Sequence, residues 1–434
     1  MLLSLENIGM VSRASVTING IAVIAGENNT GKSTVSKALY SLFSALHDNE
    51  SKIFNNRKES IINEIYRPMR LTSYDFADSD LEHVSYHDVC SFVEELLNDK
   101  YIPESVEKKI SDFYGSQLCE TINNELTSGV DGIVKRVIQI IAISDDDAFR
   151  TLLGRNLDQE FNSQINSIYS KNPGTIKLTI KSQEISVSII NNEVKQVSNR
   201  PILDSRVFYI DDPLVIDDSR MPFPSRLRGL RSSNHREQLA EALYKVGRKT
   251  RTQSLFDEIV IKGKLDAVIK KLDLVCDGSL EHVSGRRLGY KDSSMSEPLD
   301  VRSLSTGLKA FVVLKSLLLS GELVENGTII LDEPEIHLHP EWQLLFAEVI
   351  VLLHAHFGIH ILINTHSPYF LNALEVYSAR HHVADKCTYY LAEESPDPHN
   401  GHLSVINDVT DSTELIYRKL ALPLQRLEDE AASL

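Results

Sequence analysis

Gly26-Glu27-Asn28-Asn29-Thr30-Gly31-Lys32-Ser33 satisfies the pattern GxxxxGK[ST] at every position. An apolar run, Ile21 to Ala25, precedes it and is predicted as a buried strand. Ser33 to Leu46 is predicted as a helix with Val35, Leu39, Leu42, Phe43 and Leu46 on one face. Glycines at both ends let the backbone curl until several N–H groups face phosphate oxygens, and the helix N-terminus adds its partial positive charge. Lys32 is expected to reach the β- and γ-phosphates of ATP, and the Ser33 hydroxyl to ligate Mg²⁺. Gly26, Asn28, Asn29, Thr30, Gly31 and Thr34 complete the expected cradle.

A second element lies far downstream. Thr328-Ile329-Ile330-Leu331 reads as a buried strand that delivers Asp332 and Glu333 at its end. Two adjacent carboxylates there are costly unless metal and water fill the space between them. Asp332 takes the Walker-B role of holding the Mg²⁺ shell, and Glu333 is placed as a general base for an attacking water. About 30 residues on, by the usual strand–helix–strand repeat, Ile359 to Asn364 is another apolar strand, ending in Thr365-His366-Ser367-Pro368. His366 is expected to sense the γ-phosphate. Before Asp332, Leu304-Ser305-Thr306-Gly307-Leu308-Lys309 opens a helix through Leu318. Ser305 and Gly307 there make an anion site at a helix N-terminus. Because Lys32 already supplies one phosphate cradle, the economical reading is that Ser305 and Gly307 cap the nucleotide of a second copy. That implies ATP-dependent closure of a two-fold dimer.

The remainder is less specific. Asp48 to about Tyr169 is polar and helical in pattern, without glycine-rich fingerprints. Ile176, Leu178 and Ile180, then Ile185, Val187 and Ile189, read as a strand pair about a turn, and Val207 to Ile210 as a further strand. Helices are expected within His235 to Val275. At 434 residues, with 42% hydrophobic and 24% charged side chains, the composition is globular. No apolar run approaches the length of about 18 residues that a membrane helix requires. The four cysteines are scattered and form no CxxC pair, which reads as reduced thiols in a cytoplasmic protein. A formal charge of −16 repels phosphate backbones, so contact with DNA or RNA would need a local basic patch. Arg220, Arg226, Arg228 and Arg231 are the candidate patch, beside prolines 222 and 224 that keep the loop extended. Asp211-Asp212 and Asp217-Asp218 read as solvated acidic doublets rather than a second metal site, and His337 and His339 as a hydrogen-bonded turn.

In this order, the four motifs resemble the ABC-type P-loop ATPases related to RecF, the SMC proteins and the OLD family. The resemblance is nearest to AAA-family ATPases of bacterial anti-phage and toxin-like operons. It implies an α/β fold: an ABC-type head with an α-helical insertion and a small β-rich lobe. The corresponding division is 1–47 for the head's first part, 48–170 for the insertion, 171–284 for a β-rich patch, arginine loop and helices, and 285–434 for the rest of the head. It further implies ATP hydrolysis, a homodimer or higher homo-oligomer, and no membrane association. OLD nucleases carry a Toprim domain after the histidine. Here Thr388 to Glu393 is strand-like, but no DxD motif follows. A separately encoded effector, nuclease or toxin, is therefore expected, in anti-phage defence. The alternative is a RecF-like repair ATPase that binds DNA directly, and a third reading is a module in which ATP is a structural clamp.

Overall fold

The computed structural model describes residues 1–72, 85–98, 103–125, 128–218, 234–246, 255–283, 287–396 and 402–433. The arginines at 220, 226, 228 and 231 and the prolines at 222 and 224 lie outside them. The chain opens with a hairpin, β1 (Leu2–Ile8) and β2 (Val11–Thr17), then β3 (Ile21–Gly26), the phosphate loop and α1 (Lys32–Leu46). Next come α2 (Asn49–Thr72), α3 (Tyr86–Asn98), α4 (Pro103–Glu125), α5 (Gly129–Ala142) and α6 (Asp145–Glu160). A meander follows, of β4 (Gly174–Ile180), β5 (Gln183–Ile190) and β6 (Glu193–Ser198), then β7 (Val207–Ile210), α7 (His235–Lys245) and α8 (Leu255–Leu272). Three short strands, β8 (Ser279–Val283), β9 (Arg287–Lys291) and β10 (Leu299–Asp300), precede α9 (Thr306–Leu319). The chain continues as β11 (Thr328–Asp332), α10 (Pro340–Phe357), β12 (His360–Thr365), α11 (Pro368–Arg380), β13 (Cys387–Glu394), β14 (Ser404–Asp408) and α12 (Glu414–Ser433).

Two compact units form. The larger takes Met1–His47 and most of the chain after Leu152; the smaller is built on Asp48–Thr151. In the smaller, α2 to α5 bury Ile61, Ile65, Val89, Val93, Ile110, Ile133 and Val137 among themselves. The Tyr114 hydroxyl donates to the Ile65 carbonyl at 2.9 Å, so this buried phenol is satisfied. No helix among the described residues is long and apolar enough to cross a membrane.

The larger unit is organised by an eleven-stranded sheet in the order β6-β5-β4-β1-β2-β14-β13-β3-β12-β11-β7 among the described residues. Its two halves differ as their sequences do. The run β13-β3-β12-β11-β7 is parallel, and β3 and β11 are buried along almost their whole length. Both faces are covered, so these strands read as continuous apolar runs. The antiparallel half alternates buried and exposed positions, as in β1 and β5, because one face is wet. The segment 388–393, strand-like but unassigned from sequence, is a central strand beside β3. β8, β9 and β10 form a separate small sheet that the sequence pattern did not reveal. β8 buries Leu280 alone and β9 buries Leu288, Gly289 and Tyr290 in a row, so neither strand shows an alternating pattern.

Gly26 marks how tightly the parallel half is packed. A Cβ there would lie 2.4 Å from the Ala392 carbonyl oxygen on β13. Gly26→Ala is therefore expected to lower the urea midpoint of the far-UV CD transition, with a loss of about 2 kcal/mol or more, since neither strand can yield alone. An unchanged midpoint would show that β3 and β13 separate easily.

Candidate nucleotide-binding site

The parallel strands run in matched register, so their C-terminal ends fall together. Asp332 pairs with Asn364, Asn364 with Ile24 and Thr365 with Ala25, while Leu331 pairs with Ile210. Asp211, Glu333, His366 and Gly26 thus leave the sheet at successive positions along one edge. That carboxyl edge is where open α/β sheets bind ligands.

The loop after β3 takes the shape its glycines permit. Gly31 is left-handed at φ 78°, and Asn29 also has positive φ, 64°. A Cβ on Gly31 would meet Val11 at 2.7 Å, so conformation and space both require glycine here. The Thr30 hydroxyl donates to the Glu27 carbonyl at 2.8 Å, closing the turn from inside. Asn28, Asn29 and Ser33 are exposed, and Thr34 packs on the β1–β2 turn at Gly9. α1 begins with no side-chain cap and no acidic residue in its first turn. By contrast α7, α9, α10 and α11 are capped by Asn234, Ser305, His339 and Ser367. The first N–H groups of α1 are left for an outside acceptor.

Lys32 points into this space. Among the described residues three lysines are buried: Lys32, Lys309 and Lys315. Lys309 is 2.8 Å from Asp217 and Lys315 2.6 Å from Asp273. The Lys32 ammonium instead donates to the carbonyls of Gly26 and Glu27, at 2.9 and 2.8 Å, and stands 4.0 Å from Glu333 Oε1. Burial lowers its pKa from the ordinary value, against the pull of Glu333 and Asp332.

Opposite it, Asp332 is held at both oxygens. Asn364 Nδ2 donates to Oδ1 at 2.9 Å and the Tyr209 hydroxyl to Oδ2 at 2.8 Å. Asn364 Nδ2 also reaches the Ser36 hydroxyl of α1 at 2.8 Å, tying the two loops together. Glu333 adopts φ 51°, a left-handed conformation that costs a non-glycine residue roughly 1–2 kcal/mol. Its N–H bonds the Asn364 carbonyl at 2.9 Å, which fixes the turn. Its Oε1 lies 3.4 Å from His366 Nδ1. Lys32, Glu333 and His366 therefore lie together.

Glu335, to which sequence reading gave no role, lies beneath them. It is 4% exposed, and its Oε1 accepts from the Thr365 hydroxyl at 2.5 Å and the His366 N–H at 3.2 Å. Burial raises its pKa, with these bonds working the other way. Asn364, Tyr209 and Ser36 were likewise missed. Asn364 had a signal, as the one amide closing an apolar strand; Tyr209, inside Val-Phe-Tyr-Ile, had none.

Ser305 is exposed and accepts the Leu308 N–H at 3.4 Å, capping α9. Its hydroxyl proton stays free to donate. Gly307 is buried: a Cβ would lie 2.8 Å from the His337 carbonyl oxygen and 3.3 Å from the Trp342 ring. His339 caps α10. The acidic doublets are engaged with cations, Asp217 with Lys309, and Asp211 with Arg236 through bonds of 2.6 to 3.1 Å.

His235 joins that last group. Its Nδ1 is 2.6 Å from Glu160 Oε2, and its Nε2 lies 3.1 Å from Asp211 Oδ2, off the line of a good hydrogen bond. Burial alone would lower the His235 pKa; the adjoining carboxylates of Asp211 and Glu160 outweigh it and raise the value to about 9. Arg236, Tyr40 and Tyr209 are the other titratable groups around it. A raised pKa stabilises the fold fully below the unfolded value of 6.5 and loses that contribution as pH rises through about 9. The stability gap between wild type and His235→Gln should be widest near pH 6, on the order of 3 kcal/mol, and narrow towards pH 9. Chemical denaturation across that range measures it, and a gap that widens with pH would contradict the assignment.

Residues 203–372 match the sequence family described as "AAA domain, putative AbiEii toxin, Type IV TA system". That span includes Ser305, Asp332, Glu333 and His366. Over 85 residues the chain is 33% identical to a protein named OLD nuclease from Thermus scotoductus (strain ATCC 700910 / SA-01), covering 19% of this chain and 16% of that protein. The aligned stretch is thus a small part of that relative's length. Among solved structures, an SMC head bound to the C-winged helix domain of ScpA aligns at 10% identity and TM-score 0.43, covering 95% of this chain and 98% of that one. The SMC head domain from Thermotoga maritima aligns at 11% identity and TM-score 0.35, covering 94% and 98%. Loop, strand-end carboxylates and matched family define the class, a P-loop nucleotide-binding protein of the ABC type. Over residues 203–372 the chain is similar to that AAA family, and over a shorter stretch to the OLD protein.

Proposed function

We propose that this chain binds and hydrolyses ATP with Mg²⁺, closes around it as a homodimer, and thereby regulates a separately encoded effector in anti-phage defence. One observation carries the nucleotide reading. A buried lysine with only loop carbonyls in hydrogen-bond reach lies with Glu333 and His366 near the uncapped start of α1. The donor set suits a hard cation, since the Ser33 hydroxyl and the Asp332 carboxylate are both oxygen ligands. Bound there, Mg²⁺ would offset charge on the phosphate oxygens.

The chain's residues divide the remaining work. Lys32 and the first amides of α1, with the Asn28–Thr34 loop, bind and orient the β- and γ-phosphates. Glu333 accepts a proton from the water whose oxygen attacks the γ-phosphorus while the bond to the ADP oxygen breaks. His366, whose N–H is held by buried Glu335, reports on the γ-phosphate. Ser305 and Gly307 belong to the surface that meets the nucleotide of the second copy. The effector and defence roles rest on the matched family and the OLD relative.

Phosphate release from ATP tests the reading. Lys32→Ala should weaken ATP binding. Glu333→Gln should keep binding but slow turnover by about 100-fold or more, accumulating an ATP-bound dimer on size exclusion. Ser305→Arg should bind ATP as wild type does yet fail to close and turn over. Hydrolysis that survives Glu333→Gln removes the general base, and hydrolysis that survives Ser305→Arg removes the shared site.

A further inference from the structure

Tyr209 lies on β7, in register with Ile330 one strand away, and is 2% exposed. Apart from its hydroxyl bond to Asp332, its ring stacks on the His235 imidazole, centroids 4.3 Å apart and planes 28° off parallel. Tyr40 of α1 closes on both rings, at 6.1 Å from Tyr209 and 5.8 Å from His235. His235 is the most restrained residue of the three. Its N–H donates to Glu160 Oε1 at 2.8 Å, its Nδ1 meets Glu160 Oε2, and its Nε2 faces Asp211, which Arg236 grips from outside.

Packing does not call for this arrangement. A phenylalanine at 209 with an apolar residue at 235 would fill the same volume, without burying an imidazole between two carboxylates, which is expensive even when paired. What the polar version adds is direction. An aromatic ring stacked on His235 and braced by the tilted ring of Tyr40 is restricted in where it puts its hydroxyl, which meets Asp332 Oδ2. Asn364 fixes the other oxygen from the opposite strand. The carboxylate is thus locked in rotation by donors from both neighbouring strands, β7 and β12.

We infer that Tyr209 is a positioning residue for Asp332, and that His235, anchored by Glu160 and Asp211, sets the direction of its hydroxyl. The inference rests on the proposed reading of Asp332 as the carboxylate that serves the metal. It ties that carboxylate to Glu160, the last residue of α6 and so the close of the helical stretch of the chain.

Full-length wild type, Tyr209→Phe, His235→Gln, the double variant and Asp332→Asn are titrated with Mn²⁺ by electron paramagnetic resonance at fixed ATP. Each is also titrated with ATP in EDTA. Tyr209→Phe keeps the ring and should weaken Mn²⁺ about tenfold, the usual cost of losing an outer partner of a metal ligand, while ATP affinity in EDTA shifts less than about twofold. His235→Gln should shift Mn²⁺ in the same sense, and the double variant should bind it no more weakly than Tyr209→Phe, because both act through one bond. If Asp332→Asn leaves Mn²⁺ affinity unchanged, the reading of Asp332 fails and the inference with it. If Asp332→Asn abolishes Mn²⁺ binding but Tyr209→Phe does not move it, the inference alone fails. Additive losses in the double variant overturn the His235 part, and should His235→Gln not fold, Tyr209→Phe decides by itself.

Discussion

Asp332 and Asn364 face each other as cross-strand partners at the ends of β11 and β12, and the site is assembled around that pairing. A parallel sheet with matched register brings its strand ends to one level whatever loops follow. Each loop can then contribute one or two groups to a common space: Lys32 after β3, Glu333 after β11, His366 after β12. The side chain of Asn364 fastens this edge to α1 through Ser36, and its carbonyl fixes the unusual backbone of Glu333. A register slip of one residue would reverse the faces of the strand and scatter all of these groups.

The electrostatics follow a consistent rule. Buried cations in the larger unit are given carboxylates when they are structural: Lys309 takes Asp217 and Lys315 takes Asp273. Lys315 is further satisfied by the carbonyls of Cys276 and Gly278. Lys32 departs from that rule, being left with loop carbonyls and a carboxylate at the limit of pairing distance. The contrast is what the proposed function draws on when it gives Lys32 an anion to hold.

Much of this was legible in the sequence, for physical reasons. The parallel strands are buried on both faces, so they appear as uninterrupted apolar runs whose ends are visible, and functional residues sit at those ends. Asp332, Glu333 and His366 are legible as candidates because they stand at or just beyond a strand terminus, and Lys32 because it closes the glycine-bounded loop before α1. Tyr209 was not, because an interior strand aromatic looks the same whether or not its hydroxyl has a target. Glu160 and His235 are 75 residues apart, and their pairing leaves no periodic trace. The small sheet of β8 to β10 was missed because its strands are short and their buried positions do not alternate. The strand 387–394 was seen, but its place beside the phosphate loop depends on a sheet order that no local pattern encodes.

One feature of the region near Ser305 reaches beyond stability. Gly307 rests on the indole of Trp342, the chain's single tryptophan, which also meets Phe311 edge-on at 5.8 Å. The protein therefore carries a native optical reporter set beside the turn at Ser305 to Gly307. A change in its emission would be read with no label added and no second indole to confuse the signal.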